Sequence, residues 1–132
     1  MILRSLIKKA KKQSLVFLKT QEKLNTNSKI YKSCKYILRT TDFKIHYNSI
    51  YNILNNIHFF YDDINKHYAE TDSINILINT FRQYNTKLLK DTLIHEALHY
   101  SILRNNKHFL SEKKEHDIME LIDKDLINYS PL

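Results

Sequence analysis

Apolar residues recur at helical spacing in four stretches of the chain. The first stretch holds an apolar series interrupted by basic residues and predicts an amphipathic helix within about 1–25, best defined over 2–23. The same periodicity predicts helices over about 49–69, 85–104 and 112–128. Ser111 stands just before the last of these and can cap it, since a serine hydroxyl accepts hydrogen bonds from the first turn of a helix. Helices therefore account for most of the expected structure.

Three short runs have the residue content of strands instead. Residues 36–39 and 43–47 mix aromatic and aliphatic side chains, the second with regular alternation, and residues 74–79 are rich in isoleucine. Together with the helices they predict an α+β fold, in which a small sheet packs against the helices. At 132 residues the whole chain, 1–132, is expected to form one domain.

Glycine is absent from the chain, and this absence excludes several kinds of site. Phosphate-binding P-loops, dinucleotide-binding turns and the metzincin motif each need backbone conformations that glycine supplies. Asparagine tolerates left-handed backbone, so turns are expected at residues 25–28, 55–56 and 105–106. The excess of Ile, Lys and Asn is typical of AT-rich coding and suggests a virus, a phage, an endosymbiont or a parasite as the source.

Charge is distributed unevenly. The net charge is +7, yet residues 1–40 hold eleven Lys or Arg and one acid, a net of +10, whereas residues 41–132 carry a net of −3. The basic first helix has three interpretations: a core-packing helix with a solvated basic face, a surface for DNA, RNA or an anionic membrane, and a mitochondrial-type targeting segment. A polyanionic partner of residues 1–40 is therefore one hypothesis.

The remaining composition bears on location. The single cysteine, Cys34, excludes an intramolecular disulfide and predicts a small buried apolar side chain in a reducing compartment. No run of eighteen apolar residues occurs, and the apolar run at 15–18 is too short for a secretory signal peptide. We therefore expect an intracellular protein, cytoplasmic or nuclear.

The most informative motif is His95-Glu96-Ala97-Leu98-His99 within the third predicted helix. Residues four apart share one helical face, so His95 and His99 can offer two imidazoles to one metal ion. Glu96, the next residue around the helix, can act as general base on a water molecule. This is the chemistry of a zinc metallopeptidase. The competing interpretation is a helix whose histidines are surface or hydrogen-bonded core residues.

The order of strand, HExxH helix and acidic helix resembles the small zincin metallopeptidases. Residues 85–101 are similar to SprT-like proteases, and residues 74–122 resemble gluzincin-like peptidases of phages and of the ImmA/IrrE kind. The resemblance implies a minimal zincin-like domain, one zinc ion per chain and hydrolysis of protein or peptide substrates. It also implies that the strand at 74–79 flanks the active-site cleft and binds an extended peptide as an added strand.

The third zinc ligand has several candidates. Glu115 shares a helical face with Ile118, Met119 and Ile122, so it points inward if that face packs on the motif helix. His116 is rotated by about 100° from Glu115, and as a ligand it would complete a three-histidine site of the SprT-like kind. Glu112 and His108 are further alternatives. Tyr100 and His108 are candidates for a transition-state hydrogen-bond donor.

Other histidines and other functions complete the set of hypotheses. His46, His58 and His67 stand apart from the motif and are expected to be solvated or satisfied within the core. The alternative function is a basic nucleic-acid-binding module with a structural or vestigial metal site, for which four protein ligands would leave no open position. A metal-dependent RNA hydrolase is a third hypothesis.

Overall fold

The computed structural model describes residues 2–60, 69–72, 75–79, 85–106 and 109–124. The elements in chain order are α1 (Ile2–Leu24), α2 (Lys29–Leu38), α3 (Tyr47–Asn55), β1 (Ile57–Phe60), β2 (Ala69–Asp72), β3 (Asn75–Asn79), α4 (Thr86–Asn105) and α5 (Glu112–Ile122). Helices dominate, and a small sheet accompanies them. The predicted α+β class agrees with this arrangement.

The first and third predicted helices are confirmed as α1 and α4. The fourth, predicted over 112–128, is confirmed as α5 up to Ile122, and residues 125–128 lie outside the described part of the chain. Asn85 precedes α4, and its side-chain oxygen accepts a hydrogen bond from the Leu88 N–H at 2.8 Å. Ser111 caps α5 as predicted, because its hydroxyl oxygen accepts from the Lys114 N–H at 3.2 Å. Each of these bonds satisfies an N–H that has no carbonyl partner within the first turn. The start of α4, the helix that carries the HExxH motif, is therefore determined by the neighbouring residue Asn85.

The strand predicted over 36–39 is wrong, because residues 36–38 form the last turn of α2. Ser28 caps this helix by accepting from the Tyr31 N–H, and Ile30 and Cys34, one turn apart, are buried on its inner face. Burial at helical spacing outweighs the strand propensity of the aromatic and aliphatic residues here. Arg39 ends the helix in the left-handed region at φ 58°, where glycine is more usual.

The strand predicted over 43–47 is wrong as well, although the segment before α3 is extended. Phe43 is buried and Lys44 exposed, as alternation predicts. The partner of this segment is the side chain of Asn106 instead of a strand. The Asn106 amide accepts from the Lys44 N–H at 3.2 Å and donates to the Lys44 carbonyl at 3.0 Å.

The helix predicted over 49–69 is correct only in its first part. Helix α3 ends at Asn55, and Asn56 forms the turn into β1. An asparagine pair can end a helix without glycine, since its side chain competes for backbone hydrogen bonds. Residues 61–68 lie outside the described part of the chain, and β2 was not predicted.

The sheet has the order β1-β3-β2. Strand β3 confirms the strand predicted over 74–79; it pairs in parallel with β1 and antiparallel with β2. Both of its edges are therefore occupied, so the expectation that this strand itself accepts an added peptide strand is wrong. The outer edges belong to β1 and β2, and a strand can be added only where backbone groups are unpaired.

Helix α4 lies at the centre of the helical layer. Small residues of α1 allow a close approach: Ala10 and Ser14 are fully buried, and the Ser14 hydroxyl lies 3.4 Å from the Lys90 carbonyl oxygen. Helix α3 packs on α4 as well, and α5 contacts both α4 and α2. The core is continuous across these elements and includes Ile57 and Ile78 of the sheet.

Two sequence expectations about burial are met. The apolar face of α1 packs into the core and all of its lysines except the half-buried Lys11 are exposed, which agrees with the core-packing interpretation of this helix. Cys34 is buried, and burial raises the pKa of its thiol to about 12, so the thiolate is strongly disfavoured. Among the described residues, the helices are too short or too polar to cross a membrane.

Candidate metal centre

The two motif histidines lie one turn apart on the face of α4 that is turned toward α5. Their ring centroids are 5.9 Å apart. The opposite side of α4 is buried in the core through Leu93, Ala97 and other apolar residues. This burial fixes the rotation of the helix, and the rotation places both imidazoles at the boundary with α5.

His99 is paired with Glu115 of α5. The Nε2 atom of His99 lies 2.8 Å from Oε1 of Glu115, whose side chain is only 13% exposed. The orientation of Glu115 follows from its helical face, because Ile118 and Ile122 on the same face are fully buried. Glu115 therefore points inward as predicted, and its carboxylate contacts the motif histidine His99.

His95 is paired with Asp123, at the other end of α5. Its Nδ1 atom lies 2.8 Å from Oδ1 of Asp123, so the second ring nitrogen, Nε2, is left for another partner. Burial lowers the pKa of His95, but the hydrogen bond and the charge of Asp123, with the charge of Glu96, outweigh burial and leave that pKa raised. A carboxylate behind a histidine is the usual device that orients a metal-binding imidazole.

Asp123 was not among the site residues predicted from the sequence. The pairs His95 with Asp123 and His99 with Glu115 mean that α4 and α5 run antiparallel where they meet. The sequence contains one indication of these pairs: Glu115 and Asp123 are about two turns apart on α5, so both acids can lie on one face of that helix. This indication predicts the pairs only when the direction of α5 relative to α4 is known.

The two histidine–carboxylate pairs line a cleft of about 590 Å³ between α4 and α5. We call it the acidic cleft; its lining residues are His95, His99, Glu112, Glu115, His116, Met119, Glu120 and Asp123. Four of them are carboxylic acids and none is a lysine or arginine. A concave site with convergent imidazoles and carboxylates suits a cation or a cationic ligand.

Glu96 is partly buried beside the histidines. Burial raises the pKa of its carboxyl, while the nearby charges of His95 and His99 lower it, and the net effect is upward. A raised carboxyl pKa is what a general base working near neutral pH requires. Glu96 is not among the residues that line the acidic cleft, although the charges of both motif histidines act on its carboxyl.

His116 belongs to a different group. It is 75% exposed, and its Nδ1 atom lies 3.8 Å from Asp117 and 3.7 Å from Glu120. Among the described residues, these three form the one set whose potential ligand atoms all lie within 4.8 Å of one another. His95, His99 and Glu115 are spaced more widely, so holding one metal ion would require a side-chain rotation among them.

The remaining candidates are dispersed. Glu112 is exposed at the rim of the cleft, and the ring of Tyr100 lies 4.8 Å from the ring of His99. His46 and His58 are exposed and lie away from the cleft, as expected of histidines outside the motif. His67 and His108 are outside the described residues.

Comparison of the chain with known protein families, characterised proteins and solved structures finds no match.

Proposed function

We propose that the protein is a zinc-dependent peptide hydrolase whose metal is held between α4 and α5. The observation that carries the proposal is the cross-helix pairing of the HExxH histidines: His95 and His99 each meet a carboxylate of α5 at 2.8 Å, at the wall of one cleft. A helix that only packed in the core would not need two such charged pairs beside each other. The pairs supply the donor set of a metal site.

The donor chemistry fits zinc. Two imidazole nitrogens and one carboxylate oxygen are a ligand set that zinc uses in peptidases, with a further position left for water or substrate. His95, His99 and Glu115 would hold the ion, as the gluzincin-like resemblance implies. Asp123 would stay on Nδ1 of His95 and fix the direction of the imidazole.

The catalytic steps assign a role to Glu96. When bound, zinc would polarise the scissile carbonyl and make a water molecule more acidic. Glu96 accepts a proton from the attacking water at its carboxylate and delivers it to the leaving amine nitrogen. Burial raises the pKa of the Glu96 carboxyl, which makes it a better proton acceptor for this step.

The test separates metal binding from chemistry. Glu96→Gln should keep about one zinc per chain, measured by elemental analysis, while hydrolysis of a peptide library falls by about 10²- to 10⁴-fold. His95→Ala and His99→Ala should lose the zinc. His58→Ala, at an exposed histidine of β1, and Glu22→Gln, at an exposed glutamate of α1, are the matched controls and should keep both zinc and activity.

Three results would contradict the assignment. Zinc lost in Glu96→Gln would make Glu96 a ligand instead of a base. Unchanged peptide cleavage by Glu96→Gln would show that the observed hydrolysis does not depend on the motif. Absence of zinc from the wild-type protein, after purification without chelators and reconstitution with zinc, would remove the proposal altogether.

A structural metal site is the second candidate function, and the position of Asp123 favours it. Asp123 brings a fourth potential donor side chain to the pair of histidines and Glu115. A site closed by four protein ligands leaves no position for substrate. Cobalt substitution distinguishes the two, because the electronic spectrum changes on adding a small anion only when the metal has an exchangeable position.

A further inference from the structure

A second concave surface lies between α1 and the first turns of α4. It encloses about 700 Å³ and is named here the lysine groove; its lining residues are Lys9, Lys12, Gln13, Val16, Phe17, Thr86, Lys87 and Lys90. None of them lines the acidic cleft. The two helices touch closely where Ser14 meets Lys90, and the groove lies beside that contact.

The groove carries excess positive charge. Within the described part of the chain, Lys9 and Lys12 make no ion pair, whereas Lys87 and Lys90 share Asp91 at 2.8 and 3.9 Å. Four lysines and one aspartate give a net charge of +3. Asp91 is buried, so it holds the two α4 lysines in place and contributes little negative surface. The partial positive charge at the start of α4 adds to the same field.

The floor of the groove is apolar. Val16 is 62% exposed although it is surrounded by polar positions of α1, and Phe17 is half-buried beside it. An isolated exposed valine is ordinary, but here an aliphatic and an aromatic side chain lie between lysines from two helices. A ligand that matches this surface has repeated negative charges and flat apolar faces.

Insertion into a membrane does not fit this helix. An interfacial helix buries its own apolar face in lipid. In α1 that face is already buried in the protein, since Ala10 and Leu18 are fully inaccessible. The face of α1 left to solvent is the lysine face, so the partner must be recognised by charge and by the small apolar floor.

We propose that the lysine groove binds single-stranded nucleic acid. The lysines contact consecutive phosphates, and the unstacked bases lie against Val16 and Phe17. A duplex could offer phosphates to the lysines, but its base faces are stacked on one another and cannot reach the floor. This binding is independent of the metal centre, because the groove shares no residue with the acidic cleft.

The experiment uses the full-length chain and a fluorescein-labelled oligothymidylate of fifteen nucleotides, with binding followed by anisotropy. Lys9→Gln/Lys12→Gln should weaken binding about tenfold or more. The matched control is Lys32→Gln/Lys35→Gln, which removes the same charge from exposed positions of α2 outside the groove. Each lost phosphate contact should lower the slope of log K against log salt by about 0.7, so the groove variant should lose about 1.4.

A second pair of variants tests the floor. Val16→Glu places a carboxylate in the groove and should abolish detectable binding, whereas Tyr36→Glu changes an apolar side chain that is 74% exposed on α2 and should have little effect. Circular dichroism should show that each variant is folded. Both substitutions are at exposed helical positions, so their effects on folding are comparable.

Three outcomes would overturn the proposal. Equal losses in the groove variant and in the α2 variant would mean diffuse attraction to a basic protein. A duplex of the same length bound as tightly as the single strand would remove the role of the bases. Tighter binding of a polyglutamate peptide, or of vesicles containing phosphatidylserine, would assign the groove to an acidic protein or to a membrane instead.

Discussion

The acidic cleft and the lysine groove are built on the same helix and differ in how their charges are arranged. In the cleft, the middle turns of α4 offer histidines that are each paired with a carboxylate of α5. In the groove, the first turns of α4 join α1, and lysines outnumber acids by four to one. The histidine–carboxylate pairs of the cleft suit a metal ion or another compact cation, whereas the lysines of the groove suit an extended polyanion. The net charge of the whole protein does not reveal that the two surfaces differ in this way.

Removing the proposed third zinc ligand should have the largest effect on the cleft and none on the groove. Loss of a residue behind a ligand typically lowers metal affinity about 10- to 100-fold. Glu115→Ala should lower zinc affinity by more than that, because Glu115 is the proposed ligand and, among the described residues, is the carboxylate paired with His99. His116→Ala should leave zinc affinity nearly unchanged, since His116 is exposed and pairs elsewhere. Competition with a chromogenic zinc chelator measures both constants.

The reverse result would change the assignment. A large loss only in His116→Ala would favour a three-histidine site and remove the gluzincin-like interpretation. A similar loss of zinc affinity in Glu115→Ala and His116→Ala would mean that the ion lies closer to the group formed by His116, Asp117 and Glu120. In each variant, binding of single-stranded DNA to the lysine groove should remain at the wild-type level.

Asp123→Asn should weaken zinc binding less, by about 10- to 100-fold. The substitution keeps the shape of the side chain but removes the charge that orients His95. Asp117→Asn, at a half-buried acid of the same helix that pairs with Lys113 and lies near His116, is the matched control. If Asp117→Asn lowers zinc affinity as much as Asp123→Asn, the pair between His95 and Asp123 has no special role in the site.

The same pair predicts a pH dependence for the metal-free protein. The pKa of His95 is raised in the folded state, so its contribution to stability is fully present below the unfolded histidine pKa, about 6.5, and is lost as pH rises through the folded value. The difference in thermal midpoint between the wild type and Asp123→Asn should therefore shrink from pH 6 to pH 8.5. A difference that grows with pH would contradict the direction of this shift.

The sequence was most informative where local chemistry sets the structure. The predicted cap Ser111 defines where α5 begins, and the spacing of His95 and His99 places both on one face of α4. The inward direction of Glu115 also followed from its helical face. Such features depend on residues within one or two turns of each other, and a single sequence contains them completely.

Features that depend on distant contacts could not be predicted. The extended segment at Lys44 is held by Asn106, sixty-two positions away, so alternation suggested a strand where a side chain is the partner. The position of Asp123 on His95 depends on how α5 crosses α4. The lysine groove requires knowledge that α1 packs on α4, which brings Lys87 and Lys90 to a basic surface expected only within residues 1–40.

The smallest expected effect concerns the charge of the substrate. Four carboxylates and no lysine or arginine line the acidic cleft, so peptides with Lys or Arg near the scissile bond should be cleaved faster than matched acidic peptides. Glu120 is 70% exposed, and an exposed charge about 4 Å from its partner contributes roughly 1 kcal/mol in water. Glu120→Gln should therefore lower kcat/KM for a cationic peptide about fivefold, and added salt should reduce the difference. Asp42→Asn removes the same charge from an exposed acid outside the cleft and should have no such effect. Equal effects of the two variants would mean that the net charge of the protein, and not the cleft, attracts the peptide.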